Sequence, residues 1–386
     1  MYRRIIDLGV AARHSCFLWG PRQTGKSTLL RERFPNALAF DLLLADQYRR
    51  CVQDPTVVRQ EVLQRGLTGA TQADPVIIDE VQKAPQLLDE VHWMIERFGV
   101  RFVLCGSSAR KVKRGHANLL GGRAPALAMH PLAAPEVPGF DLVRALNRGM
   151  LPTHYQADDD RLLRDAYVGT YLKEEIAAEA VVRNLPAFSR FLEIAALANG
   201  EMVVYQNIAA DCAVSAPTVK AYFTILEDTL LGRLVPAFTK RARRRVIQAP
   251  RFYFFDVGIV GAIARRGRIE PGSELWGRAL EHFIFMEISA HSDYRGGRYP
   301  IAYWRTASQF EVDFVLGDGA AAVEVKSTPL ARDHDLRGLR AFRDEHRRAR
   351  ALLVSMDARP RRTEDGIEVL PWRHFLDLLW AGKIAV

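Results

Sequence analysis

At 386 residues the chain exceeds what one core of roughly 150 residues accommodates, so two or three domains are expected. With 48% hydrophobic and 26% charged residues, the composition excludes a disordered or fibrous chain. The 54 Lys and Arg against 45 Asp and Glu leave a formal charge of +9, which permits an anionic partner without demonstrating one.

No apolar run reaches the roughly 18–20 residues of a bilayer span, and the start, Met-Tyr-Arg-Arg-Ile-Ile-Asp, lacks the apolar segment of a signal peptide. The expectation is a cytoplasmic protein with no membrane partner. Four cysteines, Cys16, Cys51, Cys105 and Cys212, show no Cys-x-x-Cys spacing, so neither a disulfide framework nor a zinc site is readable.

In the first domain, expected over residues 1–135, short apolar runs at 15–19, 37–40, 75–78, 101–104 and 124–129 alternate with helical patterns. This alternation is that of a parallel α/β sheet. Between the first run and the first helix lies Gly20-Pro21-Arg22-Gln23-Thr24-Gly25-Lys26-Ser27, followed by Thr28. The spacing is that of a phosphate-binding loop: glycines turn the backbone so that N–H groups and the helix N-terminus face phosphates. Lys26 is expected to reach the β- and γ-phosphates and Ser27 to place its hydroxyl on Mg²⁺.

About 50 residues on, the apolar run 75–78 ends in Asp79-Glu80, two carboxylates at the carboxyl end of a buried strand. Asp79 is expected to hold the Mg²⁺ and Glu80 to polarise the attacking water. The run 101–104 ends in Cys105-Gly106-Ser107-Ser108. Ser107 or Ser108 either senses the γ-phosphate or caps the helix that follows. Arg123, after Gly121-Gly122, is either an arginine finger acting in a neighbouring subunit of a homo-oligomer or a surface arginine.

These motifs, with Asp79-Glu80-Val81-Gln82-Lys83-Ala84-Pro85, Tyr253-Phe254-Phe255-Asp256-Val257-Gly258 and Glu311-Val312-Asp313-Phe314-Val315, resemble the prokaryotic AAA-superfamily ATPases that carry a C-terminal domain of unknown function. The resemblance covers nearly the whole chain. It implies an AAA-type fold, ATP and Mg²⁺ as cofactors, and a nuclease-like C-terminal core.

A connector is expected over 136–262. Pro131, Pro135, Pro138 and Gly139 punctuate its start, and helical patterns follow at 161–182 and 188–198. Residues 205–229 read as a helix-turn-helix with Ser215 as N-cap and Pro217 in the first turn, and the strand-like stretch 233–238 makes it winged. The second helix presents Ser215, Ala216, Thr218 and Lys220, with no Arg, Asn or Gln to read base edges. The basic run Lys240-Arg241-Ala242-Arg243-Arg244-Arg245 either grips phosphates without reading sequence or is a solvated wing tip.

In the last domain, expected over 263–386, Glu281 lies on a helical pattern at 274–289 and two alternating strands follow at 309–316 and 320–327. Asp318-Gly319 between them is a two-residue hairpin signal. That turn sets Asp313 opposite Glu324 and Glu311 opposite Lys326, so two carboxylates face each other and require something positive between them. A divalent cation held by Glu281, Asp313 and Glu324, with Lys326 beside the attacking water, resembles the restriction-endonuclease-like core; a solvated polar face is the alternative. A charged helix at 333–348, a strand at 351–355 and a helix at 372–380 complete the domain, with arginines 343, 347, 348 and 350 as a basic rim. The whole then reads as an ATPase acting on nucleic acid with little sequence preference, or as an ATP-dependent switch or scaffold whose nuclease-like domain is inactive.

Overall fold

The computed structural model describes residues 2–108, 124–159, 161–172, 182, 184–240, 244–295 and 299–384. The chain divides into two compact units: Met1–Pro131 with Asp228–Leu231, and Leu132–Glu227 with Gly232–Val386. The stretches 136–262 and 263–386 therefore lie almost wholly within the second unit.

The first unit is a five-stranded sheet in the order β2-β3-β4-β1-β5, formed by β1 (Cys16–Trp19), β2 (Ala39–Asp41), β3 (Val76–Asp79), β4 (Phe102–Gly106) and β5 (Ala126–Ala128). Every neighbouring pair is parallel. Strands β1, β3 and β4 are buried at every position, as unbroken apolar runs demand when helices cover both faces. The covering elements are α1 (Lys26–Arg33), α2 (Ala45–Gln53), α3 (Thr56–Gln64) and α4 (Leu87–Phe98). On α4 the residues Leu87, Leu88, Val91 and Met94 are buried at helical spacing, and the helix stops at Gly99, whose φ of 65° suits a left-handed cap. Phe17, Phe40, Ile78, Phe102 and Leu104 share one core, each contributing about 1.5–3 kcal/mol on burial. Because β4 lies between β1 and β3, the three strand ends that carry the candidate residues stand side by side.

The second unit opens with α5 (Leu142–Arg148), α6 (Pro152–Gln156), α7 (Arg161–Ala166) and a π-helical turn at Tyr167–Leu172. The helix expected over 161–182 thus changes its winding at Tyr167, and 173–181 lie outside the described residues. Next come α8 (Leu185–Leu197), α9 (Tyr205–Cys212) and α10 (Ala216–Asp228). Ala213 ends α9 in the left-handed region at φ 55°, and the Ser215 hydroxyl accepts from the Thr218 N–H at 3.3 Å. Strand β6 (Gly232–Val235) pairs antiparallel with β7 (Arg251–Phe254). The strand expected over 233–238 therefore ends early, although Ala237 bridges to Tyr303. Asp256 caps α11 (Val257–Ile263) by accepting from Gly258 and Ile259. Its other carboxylate oxygen accepts from the Met150 N–H at 2.6 Å, which fixes α11 against the end of α5.

Helix α12 (Glu274–Tyr294) is buried along most of its length between Trp276 and Ser292. It covers a six-stranded sheet of order β12-β13-β11-β10-β9-β8, made of β8 (Ile301–Arg305), β9 (Glu311–Leu316), β10 (Ala321–Val325), β11 (Arg350–Ser355), β12 (Arg361–Arg362) and β13 (Glu368–Pro371). Helices α13 (Arg337–Glu345) and α14 (Trp372–Trp380) complete the unit. Leu339 and Phe342 of α13 pack with Val312, Ala322 and Leu353 of the sheet. Both faces of β10 are therefore covered, and the alternative of a solvated polar face is not what forms: Asp313 is 4% and Glu324 5% exposed.

Candidate functional site

The loop before α1 is shaped by two residues in the left-handed region, Gln23 at φ 63° and Gly25 at φ 91°. Gly25 precedes α1 with no side-chain cap, so the first-turn N–H groups keep their donor capacity for an anion. Gly20 is required for a different reason from the turn expected of it. A Cβ there would stand 2.4 Å from the Met129 carbonyl oxygen, because Met129 pairs with the Trp19 carbonyl.

Lys26 is 5% exposed, and its ammonium donates to the carbonyls of Gly20 at 2.7 Å and Pro21 at 3.0 Å. The buried Thr24 hydroxyl donates to Pro21 at 2.8 Å. From outside the motif, Arg4 donates to the Thr24 carbonyl at 2.6 Å and to the His130 carbonyl at 2.7 Å, bracing the loop from behind.

Ser27 donates to Asp79 Oδ2 at 2.5 Å, which brings together the hydroxyl and carboxylate expected at Mg²⁺. Glu80 is a non-glycine residue at φ 57° and ψ 42°, a costly conformation that concentrates at functional sites. It turns a buried carboxylate toward the end of β4, where Glu80 Oε2 accepts from Gln82 Nε2 and, at 3.2 Å, from the Ser107 hydroxyl. Gln82 also donates to Ser107 at 3.1 Å, while Gln82 Oε1 is buried without a hydrogen-bond partner among the described residues. Burial and the Asp79 carboxylate hold the neighbouring Cys105 thiol well above its usual range. All four cysteines are free and buried. Arg123 and the helix expected after Ser108 lie outside the described residues.

The donor set fits ATP and Mg²⁺: a left-handed loop before an uncapped helix, a buried ammonium, a Ser–Asp pair of oxygen ligands, and a carboxylate one residue on. Sequence reasoning misses Arg4 and Gln82. Arg4 carries no local signal, and the contact of Gln82 depends on the unusual backbone of Glu80.

In the second unit, Glu281, Asp313, Glu324 and Lys326 form one interacting cluster, with Arg251 and Tyr253 of β7 added. The paired register runs Leu316–Ala321, Val315–Ala322 and Phe314–Val323, the frame that the Asp318-Gly319 turn predicts. Both turn residues have positive φ, 56° and 92°, and Ala320 N–H closes on the Gly317 carbonyl at 3.0 Å. Beyond Phe314 the expected pairing of Glu311 with Lys326 gives way. Glu311 sits opposite Arg305 of β8 and holds both Arg305, at 3.2 Å, and Arg251.

Between Glu281 and Asp313 the structure places a guanidinium. Arg251, 3% exposed, has Nη1 3.6 Å from Glu281 and 3.6 Å from Asp313. Asp313 Oδ2 accepts from the Val325 N–H at 2.8 Å, and Glu324 pairs with Lys326 at 2.6 Å. Among the described residues no group of three His, Cys, Asp or Glu is arranged to hold a metal ion.

Burial, then Asp313, push the Glu281 carboxyl up to about 7, against the pull of Arg251. Burial and Asp313 likewise raise Glu324 to about 8. Burial works against the Lys326 charge, yet Glu324 and Asp313 outweigh it and hold the ammonium above its ordinary range. Tyr253 donates to Glu281 at 2.6 Å.

The basic residues expected to meet phosphates are partly engaged. Lys240 pairs with Asp318 at 2.7 Å and Arg244 with Glu345 at 2.8 Å, while 241–243 lie outside the described residues. Arg350 is held by both oxygens of Glu368.

Residues 12–137 match the AAA domain family, so this part of the chain is an AAA-superfamily domain. Residues 139–269 and 276–375 match two families described as Domain of unknown function (DUF8612) and Domain of unknown function (DUF4143). No curated protein matches the chain. Among solved structures it is similar to the Aeropyrum pernix ORC1 protein in complex with DNA, at 12% identity over 65% of this chain and 86% of that one, with a TM-score of 0.26. It is also similar to the Aeropyrum pernix ORC2 protein in its ADPNP–ADP complexes, at 12% identity over 66% and 88%, with a TM-score of 0.24. No helix among the described residues is long and apolar enough to cross a membrane.

Proposed function

We propose that the chain is a Mg²⁺-dependent ATPase whose turnover serves a nucleic-acid-associated task of the second unit. The observation that carries the ATPase reading is the convergence of the Lys26 loop, the Ser27–Asp79 contact at 2.5 Å and the Glu80–Gln82–Ser107 cluster at three adjacent strand ends. Bound Mg²⁺ supplies charge neutralisation at the phosphates, with Ser27 and Asp79 holding it. Lys26, freed from the Gly20 and Pro21 carbonyls, binds the terminal phosphates. Glu80 orients water and takes up its proton density, and Gln82 and Ser107 fix that carboxylate in place.

Lys26→Ala is expected to abolish nucleotide binding, and Glu80→Gln to bind ATP but turn it over at least about a hundredfold more slowly. Wild-type turnover in Glu80→Gln would remove Glu80 from the catalytic role. For Arg123, mixing Arg123→Ala with Lys26→Ala subunits restores partial activity if the arginine acts across a homo-oligomer, and none if it does not.

For the second unit, the succession of Glu281 on a helix and Asp313 and Glu324-x-Lys326 on antiparallel strands supports a restriction-endonuclease-like core. Arg251 among those carboxylates favours the second reading, a core that does not cleave and serves as an ATP-dependent switch or scaffold. Incubating the protein with DNA and RNA, with Mg²⁺ or Mn²⁺ and with or without ATP, separates the two. Cleavage that Asp313→Ala abolishes supports the nuclease, and no cleavage supports the scaffold.

A further inference from the structure

A cleft of about 1020 Å³ opens within the second unit, at the upper end of the range for ligand pockets. Its floor is rigid. Asp256 ties α11 to Met150, and α11 lies so close to α5 that a Cβ on Gly258 would stand 2.2 Å from the Arg148 carbonyl oxygen. Asn147 exchanges hydrogen bonds with Ile269, accepting at 2.7 Å and donating at 3.1 Å, which pins the segment after α11 to α5.

The walls are strongly basic. Arg144, Arg148, Arg161 and Arg164 line it together with Arg265, Arg266 and Arg268, which follow α11 in the chain. Among the described residues, three lining carboxylates accompany these seven arginines, Asp141, Asp165 and Glu193, and Arg144 and Arg268 pair with Asp158 at 3.4 Å and Glu270 at 3.2 Å. Asp141 is occupied as the cap of α5, Asp165 lies 3.9 Å from Arg161, and Glu193 is 3.4 Å from Arg265.

Two guanidiniums are anchored only to neutral groups. Arg148 donates to the Ala157 carbonyl and Arg266 to the Ala196 carbonyl at 3.4 Å, and neither has a carboxylate partner among the described residues. Arginines oriented by carbonyls keep their remaining N–H donors and their full charge. Burial, with Arg278 nearby, already lowers the Arg266 pKa, the mark of a cation lacking its anion. Among the described residues no aromatic side chain lines the cleft, so these residues offer no stacking platform for bases.

We propose that this cleft binds a run of closely spaced phosphates, supplied by a nucleic-acid backbone or by a free polyphosphate. It recognises charge and spacing and is indifferent to base sequence. The proposal stands apart from the ATPase reading, because it uses none of the Lys26 loop.

The test uses the full chain and three probes: a labelled 20-base-pair duplex and a single strand of equal length, each by fluorescence anisotropy, and inorganic tripolyphosphate by calorimetry. Arg161 and Arg268 are exposed, so R161E/R268E folds as wild type and is expected to weaken binding by at least about tenfold per arginine. R148Q/R266Q removes the two unpaired cations without adding repulsion and is expected to do the same. For the nucleic acids, each variant lowers the slope of log affinity against log salt by about one for every arginine–phosphate pair it removes. R373E, outside the cleft, leaves binding of the nucleic-acid probes unchanged, and tripolyphosphate is titrated into chains carrying Lys26→Ala, with and without the cleft substitutions, so that the Lys26 loop does not contribute. Duplex or single-strand binding that both cleft variants abolish assigns the backbone as the source. Tripolyphosphate binding alone, abolished likewise, assigns the free polyphosphate. Binding of no probe at about 50 mM salt, or unchanged binding in the cleft variants, overturns the proposal.

Discussion

Replacing Arg251 by Met removes the cation paired with both Glu281 and Asp313 while keeping a side chain of similar length. Each of those pairs stands at 3.6 Å, where two unit charges at an effective dielectric near 20 attract by about 4–5 kcal/mol before desolvation is charged against them. The Glu281 side chain is 25% exposed against 6% for Asp313, so water screens the first pair more and Asp313 carries most of the effect. Leaving buried carboxylates without their partner costs about 3–5 kcal/mol, which is the expected loss in urea denaturation of the second unit at pH 8. ATP turnover, read in parallel, reports that the first unit remains folded.

The loss has a definite pH dependence. Without the guanidinium, the native pKa of Glu281 rises above the value of about 7 it has with Arg251 present. Folding then takes up a proton, and stability is lost as pH rises through that value. R251M should therefore recover part of its deficit between pH 8 and pH 5, and R251M/D313N should recover most of it at every pH. A deficit below about 1 kcal/mol, or one that Asp313→Asn leaves untouched, would refute the assignment of Arg251 as the resident cation.

Gly20→Ala should destabilise the first unit by about 2 kcal/mol and weaken ATP binding, because its Cβ meets the Met129 carbonyl at 2.4 Å; thermal melts with and without nucleotide check both. Glu287 accepts from Ala134 and Trp380, and its burial pushes its carboxyl up to about 8. Stability from this raised pKa is present below the ordinary value near 4.5 and lost as pH rises through about 8, so Glu287→Gln should flatten the pH profile of second-unit stability between about pH 4.5 and pH 8. Asp256→Ala should cost about 2–3 kcal/mol by orphaning three buried N–H groups and should weaken phosphate binding with them; an unaltered cleft affinity in a destabilised variant would show that the clamp does not shape the cleft.

Much of the first unit follows from local pattern. Its five strands arise from apolar runs too short for helices, and the loop, Asp79 and Ser107 occupy strand ends that a parallel sheet aligns on one edge. The hairpin frame of β9 and β10 is equally local, since a two-residue Asp-Gly turn leaves the flanking strands one register. Arg251 is not legible in the same way. It lies 30 residues before Glu281 and 62 before Asp313 in the sequence, on a strand that does not join the sheet of Asp313, and a lone arginine opening an apolar strand has no pattern to mark it. The demand for a positive charge is readable from opposed carboxylates; its chemical identity is a matter of tertiary packing. Arg4 and the arginines of the cleft share that difficulty, because they meet their neighbours only through the folding of distant segments.

The hairpin turn also bears on which sequence changes this protein can accept. Exposed loop tips ordinarily accept inserted residues, and Asp318 at this tip is largely exposed. Here an insertion of one residue that let β10 slip against β9 would exchange the two faces of the strand, moving Glu324 to the opposite, equally covered face and driving its apolar neighbours Val323 and Val325 toward Arg251 and Asp313. Gly319, packed so that an added Cβ would meet the Phe238 ring at 3.0 Å, leaves little room to absorb the extra residue as a bulge. Length variation among related chains should therefore avoid 317–320 and gather at surface loops whose flanking strands carry no charge inward.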